Sequence, residues 1–155
     1  KNDENGADSG AVYIMTDPAL SGSRQDALAE SSIQFYGAAE RDRLGRTPVH
    51  SADLNNDSIM DLIVSSSEIR CPAASCGKTF VMYGPIEDID SANLGEEEGS
   101  EDASFRGMGI RDFAGDAILS GHDLTDDGID DLVVSAPGDS EGEAGAVHVV
   151  FGQGM

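Results

Sequence analysis

Tryptophan is missing from the chain, and all aromatic residues together make up only 5% of it. A glycan-binding module, which uses exposed aromatic rings to stack on sugars, is therefore disfavoured. Basic residues are scarce as well, with 9 Lys and Arg against 30 Asp and Glu, for a formal net charge of −21. A chain so acidic repels nucleic acid and anionic membrane surfaces. No run approaches the roughly 18 apolar residues of a membrane span. The opening KNDENGADSG has neither the basic region nor the apolar stretch of a signal peptide, so an exported form would already have lost its targeting segment. Only two cysteines occur, Cys71 and Cys76, too few for a thiol metal site without more Cys or His nearby. Lying between two strand-like runs, they have a spacing that closes a hairpin loop as a disulfide, which favours an oxidising compartment.

What is abundant is acid, glycine and repetition. Self-repulsion at this charge destabilises a compact state unless a cation binds, and carboxylates suit hard divalent ions. Phe35-Tyr36-Gly37 returns as Phe105-Arg106-Gly107, Gly45 as Gly115, and Asp53 to Val64 as Asp123 to Val134, all at an offset of 70 residues. A further element, Gly10 to Ile14, returns as Gly77 to Val81 and as Gly145 to Val149. Short runs of Val, Ile, Phe and Tyr between Gly, Asp, Asn and Ser predict strands near 11–15, 32–36, 46–52, 61–66, 78–83, 102–106, 116–122, 131–135 and 146–151. Only Arg24 to Glu30 has helix-forming composition, and it is too short and too weakly periodic to compete.

The pattern predicts an all-β fold of β-propeller-type, four-stranded antiparallel blades, two copies and the tail of a preceding one. The units are 1–31, the end of a preceding repeat; 32–100, a first full repeat; and 101–155, a second. Two copies do not close a ring of about 4–8 blades. The segment Val12-Tyr13-Ile14 has no upstream pair of strands before it and so leaves an open edge, which recruits a partner strand. Expected partners are other protein chains or copies of the same chain, joined through open sheet edges.

The chemistry lies in two nine-residue loops. The first reads Asp53-Leu54-Asn55-Asn56-Asp57-Ser58-Ile59-Met60-Asp61 and the second Asp123-Leu124-Thr125-Asp126-Asp127-Gly128-Ile129-Asp130-Asp131, each running straight into an apolar strand. Oxygen-bearing side chains stand at positions 1, 3, 5 and 9 of both. Ca²⁺ takes 6–8 oxygen ligands at about 2.3–2.6 Å, and a loop curling round it presents alternate residues inward. The expected ligands of two Ca²⁺ sites are Asp53, Asn55, Asp57, Asp61, Asp123, Thr125, Asp127 and Asp131 through side chains, with Ile59 and Ile129 through backbone carbonyls and their side chains turned to the core. Mg²⁺ demands stricter octahedral geometry. Asp, Asn and Gly also make ordinary turns, but two matches at equal positions of a repeat, each before a strand, exceed what turn chemistry requires. Ser58 stands where the second loop has Gly128, so backbone strain is expected if φ is positive there.

The repeat resembles the FG-GAP repeat of integrin α-subunit β-propellers and of related bacterial exported proteins. The matching residues are Asp42-Arg43-Leu44-Gly45, the two acidic loops, Ser135-Ala136-Pro137-Gly138 where the family has Gly-Ala-Pro, and Phe151-Gly152. Ser65-Ser66-Ser67 lacks the Gly-Ala-Pro. The resemblance implies four-stranded blades, calcium loops between the first two strands of a blade, and extracellular or cell-surface work in adhesion or assembly.

His50, His122 and His148 are the only histidines. Ser120, His122 and Asp123 cluster in sequence without a nucleophile elbow, and Asp123 belongs to a loop, so no enzyme is expected. Asn56-Asp57-Ser58 fits a glycosylation acceptor, and Glu96-Glu97-Glu98 reads as a solvated loop. The expected function is an extracellular calcium-binding structural or adhesive module. The alternatives are a non-catalytic propeller part of a larger secreted enzyme and a glycan-binding module.

Overall fold

A computed structural model describes residues 5–15, 33–70, 75–89, 92–94, 101–138 and 144–154. Among the described residues ten strands form three sheets. The first holds β1 (Ala11–Ile14), β2 (Ile33–Gly37) and β6 (Ala92–Leu94), in the order β1-β2-β6. The second is a four-stranded antiparallel blade of β3 (His50–Ala52), β4 (Asp61–Ser66), β5 (Lys78–Met82) and β7 (Ala103–Arg106), in the order β3-β4-β5-β7. The third joins β8 (Ile118–His122), β9 (Asp131–Ala136) and β10 (Ala146–Val150), in the order β10-β9-β8.

The all-β, blade-type architecture read from the sequence is therefore present. One pairing departs from the antiparallel expectation, since β6 runs parallel to β2. That strand was not anticipated, because Ser91-Ala92-Asn93-Leu94 has a single large apolar residue. β3 begins at residue 50 rather than 46; Pro48 has no amide for a ladder, and Thr47 instead donates its hydroxyl to the Gly115 carbonyl at 3.0 Å. The only helical element among the described residues is a short 3₁₀ turn, Ile86–Asp88. The window Arg24 to Glu30 lies outside the described residues.

The sheets are out of phase with the sequence units by one strand. β2, at the start of unit 32–100, pairs with β1 of the unit before it, and β7, from unit 101–155, completes the second blade against β5.

Packing follows from strand alternation. On β4, Leu62 and Val64 face one cluster with Val12, Phe35, Leu44, Phe80 and Met82, while Ile63 faces a second with Ala52, Val81, Leu132 and Val134. The middle blade thus has both faces covered, and all six residues of β4 are buried. The serines that replace Gly-Ala-Pro are buried too, and hydrogen bonds account for them. Ser65 donates to the Gly115 carbonyl at 2.8 Å, and Ser66 to the Asp42 carbonyl. Blade contacts are close enough to require glycine at Gly77, where φ is 78° and an added Cβ would lie 2.2 Å from the Ala114 carbonyl oxygen.

Candidate functional site

Both acidic loops lie where the sequence places them, between the first and second strands of a sheet: 53–61 between β3 and β4, and 123–131 between β8 and β9. Each is wound by its own carboxylates accepting backbone amides. In the first loop Asp53 accepts from Asp57 N–H (3.1 Å) and Ser58 N–H (2.9 Å), and Asp57 accepts from Ile59 N–H (2.7 Å). Asn55, 2% exposed, accepts from the Asp57 amide at 3.1 Å and donates its side-chain amide to the Asp57 carboxylate at 2.9 Å. In the second loop Asp123 gathers the amides of Thr125, Asp126, Asp127 and Gly128 at 2.7–3.2 Å, and Asp127 accepts from Ile129 N–H at 2.9 Å. Thr125 turns its hydroxyl to Asp123 (3.4 Å), whereas Asn55 pairs with Asp57.

Position 9 is the anchor. Asp61 and Asp131 are the first residues of β4 and β9, each 1% exposed. Each accepts the amide of position 2, from Leu54 (2.9 Å) and Leu124 (2.7 Å). Each also accepts a glycine amide beyond the third strand, from Gly84 (3.1 Å) and Gly152 (3.0 Å). The carboxylate so ties the loop's start, the central strand and the next turn together. The part Gly84 and Gly152 play at the loops was not expected, although Gly152 belongs to the Phe151-Gly152 pair named above and both follow an apolar strand.

Electrostatics separate the two ends of the motif. Burial pushes the Asp61 carboxyl above the usual range, opposed by the Leu54 and Gly84 amides and reinforced by the charges of Asp57 and Asp53. Asp123, on the exposed surface, is held below the usual range, first by the Gly128 amide and then by those of Asp127, Asp126 and Thr125.

Not every expectation about the loops holds. The Ile59 side chain is 40% exposed rather than turned to the core; it leans on the Gly84 turn at the rim, as Ile129 leans on Gly152. Among the described residues no three His, Cys, Asp or Glu side chains converge on a common point. Backbone strain at Ser58 is present, with φ 67°. The donor set nevertheless suits a hard cation, because it is oxygen throughout and each carboxylate offers about four lone-pair sites, of which Asp53 uses two.

Asp130 was also missed. Its carboxylate accepts the Asp53 amide at 3.1 Å and its own amide donates to the Asp53 carbonyl at 3.3 Å, while Gln153 N–H reaches the Leu54 carbonyl at 3.0 Å. The two loops are thus clasped to each other. The signal was available, since position 8 of the first loop is Met60 and only the second has an acid there.

Elsewhere, Ser120 donates to the Ser51 carbonyl at 3.3 Å. Asp42 and Asp112, 70 residues apart and each 3% exposed, cap the amides of Ala39 (2.8 Å) and Gly109 (2.5 Å) in equivalent turns. Cys71 lies outside the described residues, and Cys76 is buried.

Stacked sheets in a repeat of this length, two of them with an acidic loop entering the second strand, define a blade-repeat protein of the propeller type. Residues 114–150 match the family model of the FG-GAP repeat, and the chain carries that repeat. It is 30% identical over 145 residues to the phosphatidylinositol-glycan-specific phospholipase D of Mus musculus, covering 86% of this chain and 16% of that protein. To the phospholipase D of the same description from Rattus norvegicus it is 32% identical over 113 residues, covering 66% of this chain and 12% of that protein. The chain therefore spans less than a fifth of either relative.

Proposed function

We propose that this chain is a calcium-rigidified structural or adhesive blade module of an extracellular or cell-surface protein, not itself catalytic. The observation that carries the reading is the paired geometry of the loops. At equivalent positions of two repeats, a position-1 aspartate is cradled by loop amides and a buried position-9 aspartate opens the central strand. Asp53, Asn55, Asp57 and Asp61, and Asp123, Thr125, Asp127 and Asp131, supply the side-chain oxygens, with the carbonyls of Ile59 and Ile129. Bound Ca²⁺ supplies the counter-charge that draws these oxygens together. The amides already hold each loop curled, so metal uptake has little backbone left to order. A ligand that binds only the folded form raises stability by mass action.

Calorimetry tests the reading: the chain takes up two Ca²⁺ with measurable heat, Asp57→Ala and Asp127→Ala each remove one, and EGTA lowers the melting temperature. Unaltered uptake in both variants overturns it. Oxidising surroundings are supported by the antiparallel bridge of Arg70 with Ser75, which brings together the chain ends flanking 71–74 and suits a Cys71–Cys76 disulfide. Mass spectrometry without reductant checks that bond by a loss of two hydrogens.

A second reading is favoured by the two phospholipase relatives: the chain is the non-catalytic propeller part of a larger secreted enzyme. Size measurement in Ca²⁺ separates the two. Head-to-tail association through the edges of β1 and β10 supports a structural role, and a monomer at all concentrations supports the enzyme-attached part.

A further inference from the structure

The bonds between the two acidic loops run mostly in one direction. Asp130 is position 8 of the second loop, yet its carboxylate reaches the first, where it accepts the Asp53 amide at 3.1 Å. Its own amide donates to the Asp53 carbonyl at 3.3 Å. Both main-chain polar groups of Asp53 are therefore held from across the blade boundary. Position 8 of the first loop is Met60, which has no carboxylate to offer.

Asp53 is also the residue around which the first loop winds, since its side chain accepts the amides of Asp57 and Ser58. The support behind it is firm. Asp130 adjoins Asp131, which is 1% exposed, opens β9 and accepts the amides of Leu124 (2.7 Å) and Gly152 (3.0 Å). Gln153 adds a second strap by donating to the Leu54 carbonyl at 3.0 Å, and the Leu54 amide in turn meets Asp61 at 2.9 Å. A ligand whose frame is fixed in advance has less freedom to lose when an ion binds. A nearby negative charge also deepens the potential that a cation meets, and Asp130 is half-buried, so water screens it only in part.

We propose that Asp130, though it belongs to the second loop, is a positioning residue for the calcium site of the first: it fixes Asp53 from the neighbouring repeat and adds its charge there. The proposal rests on the calcium reading of the loops and deepens it. Position 8 lies outside the alternating ligand pattern, and its residue sets the affinity of the loop one repeat earlier rather than that of its own.

Calorimetry on the whole chain tests this with each loop isolated in turn. In the Asp127→Ala chain only the first loop takes up Ca²⁺, and adding Asp130→Ala should weaken that uptake about tenfold or more, the usual consequence of removing a partner that orients a ligand. Asp130→Asn keeps an oxygen for the Asp53 amide and loses the charge, so its effect should be smaller than that of Asp130→Ala. In the Asp57→Ala chain only the second loop binds, and there both changes should leave the affinity unaltered. Melts of the metal-free variants accompany the titrations, and if Asp130→Ala fails to fold, Asp130→Asn in the two backgrounds decides. Unchanged binding at the first loop, equal weakening of both, or weakening of the second alone overturns the proposal. Absence of Ca²⁺ uptake by the parent chain is a distinct result, which defeats the calcium reading itself and this proposal with it.

Discussion

At Ser58 the backbone is left-handed, a conformation that costs a residue with a Cβ about 1–2 kcal/mol, and the equivalent residue of the second loop is Gly128 at φ 89°. Ser58→Gly should therefore raise stability by about 1 kcal/mol, read from denaturant midpoints. Gly77 is the opposite case, with positive φ and no room for a Cβ. Gly77→Ala should cost about 2 kcal/mol or more, visible as a lower melting temperature. Asp42 adds a pH dependence. Burial raises its carboxyl above the usual range, against the amides of Ala39 and Ala38 and the charge of Arg70. A raised folded-state value means a contribution fully present below the unfolded pKa and lost as pH climbs through the folded one. Asp42→Asn removes that loss, so relative to the parent it should gain stability between pH 4 and pH 7 in melts of the metal-free chain. The alternating oxygens and the odd serine at position 6 were legible in the loops because ligand and turn chemistry are local. The Asp130 clasp was not, since its partner Asp53 is 77 residues away.

Strands were readable wherever Val, Ile and Phe cluster between turn residues, and nine of the ten appear near their expected positions. β6 was invisible because its place is set by its neighbour's open edge rather than by its own composition. Equivalent elements are also not equally buried, and this gives a comparison within one chain. Phe35→Ala should cost about 3–5 kcal/mol, as expected for a fully buried aromatic, whereas Phe105→Ala at the half-buried equivalent should cost clearly less. Paired denaturant titrations measure the difference.

For the molecule as a whole, the charge of −21 outweighs local pairings. The scarce bases do make contacts, with Lys78 and Glu101 paired at 2.5 Å beside the Phe80 ring and Arg43 and Arg46 both on Glu68, but they leave most carboxylates unmatched. Self-repulsion should make the metal-free chain melt higher in 0.5 M NaCl than in dilute buffer, since screening shortens the reach of surface charge to a few ångströms. On the proposed function two bound Ca²⁺ bring the formal charge to −17, so the salt effect should shrink when the ion is present.

The one-strand offset between sequence unit and sheet bears on how such a chain lengthens. Duplication of a 70-residue stretch would not add a free-standing block, because each blade takes its last strand from the copy that follows, as the middle blade takes β7. Newly inherited units are stitched to their neighbours from the outset, and the deletion of one deprives the survivor before it of an outer strand until the next copy moves up to lend its own.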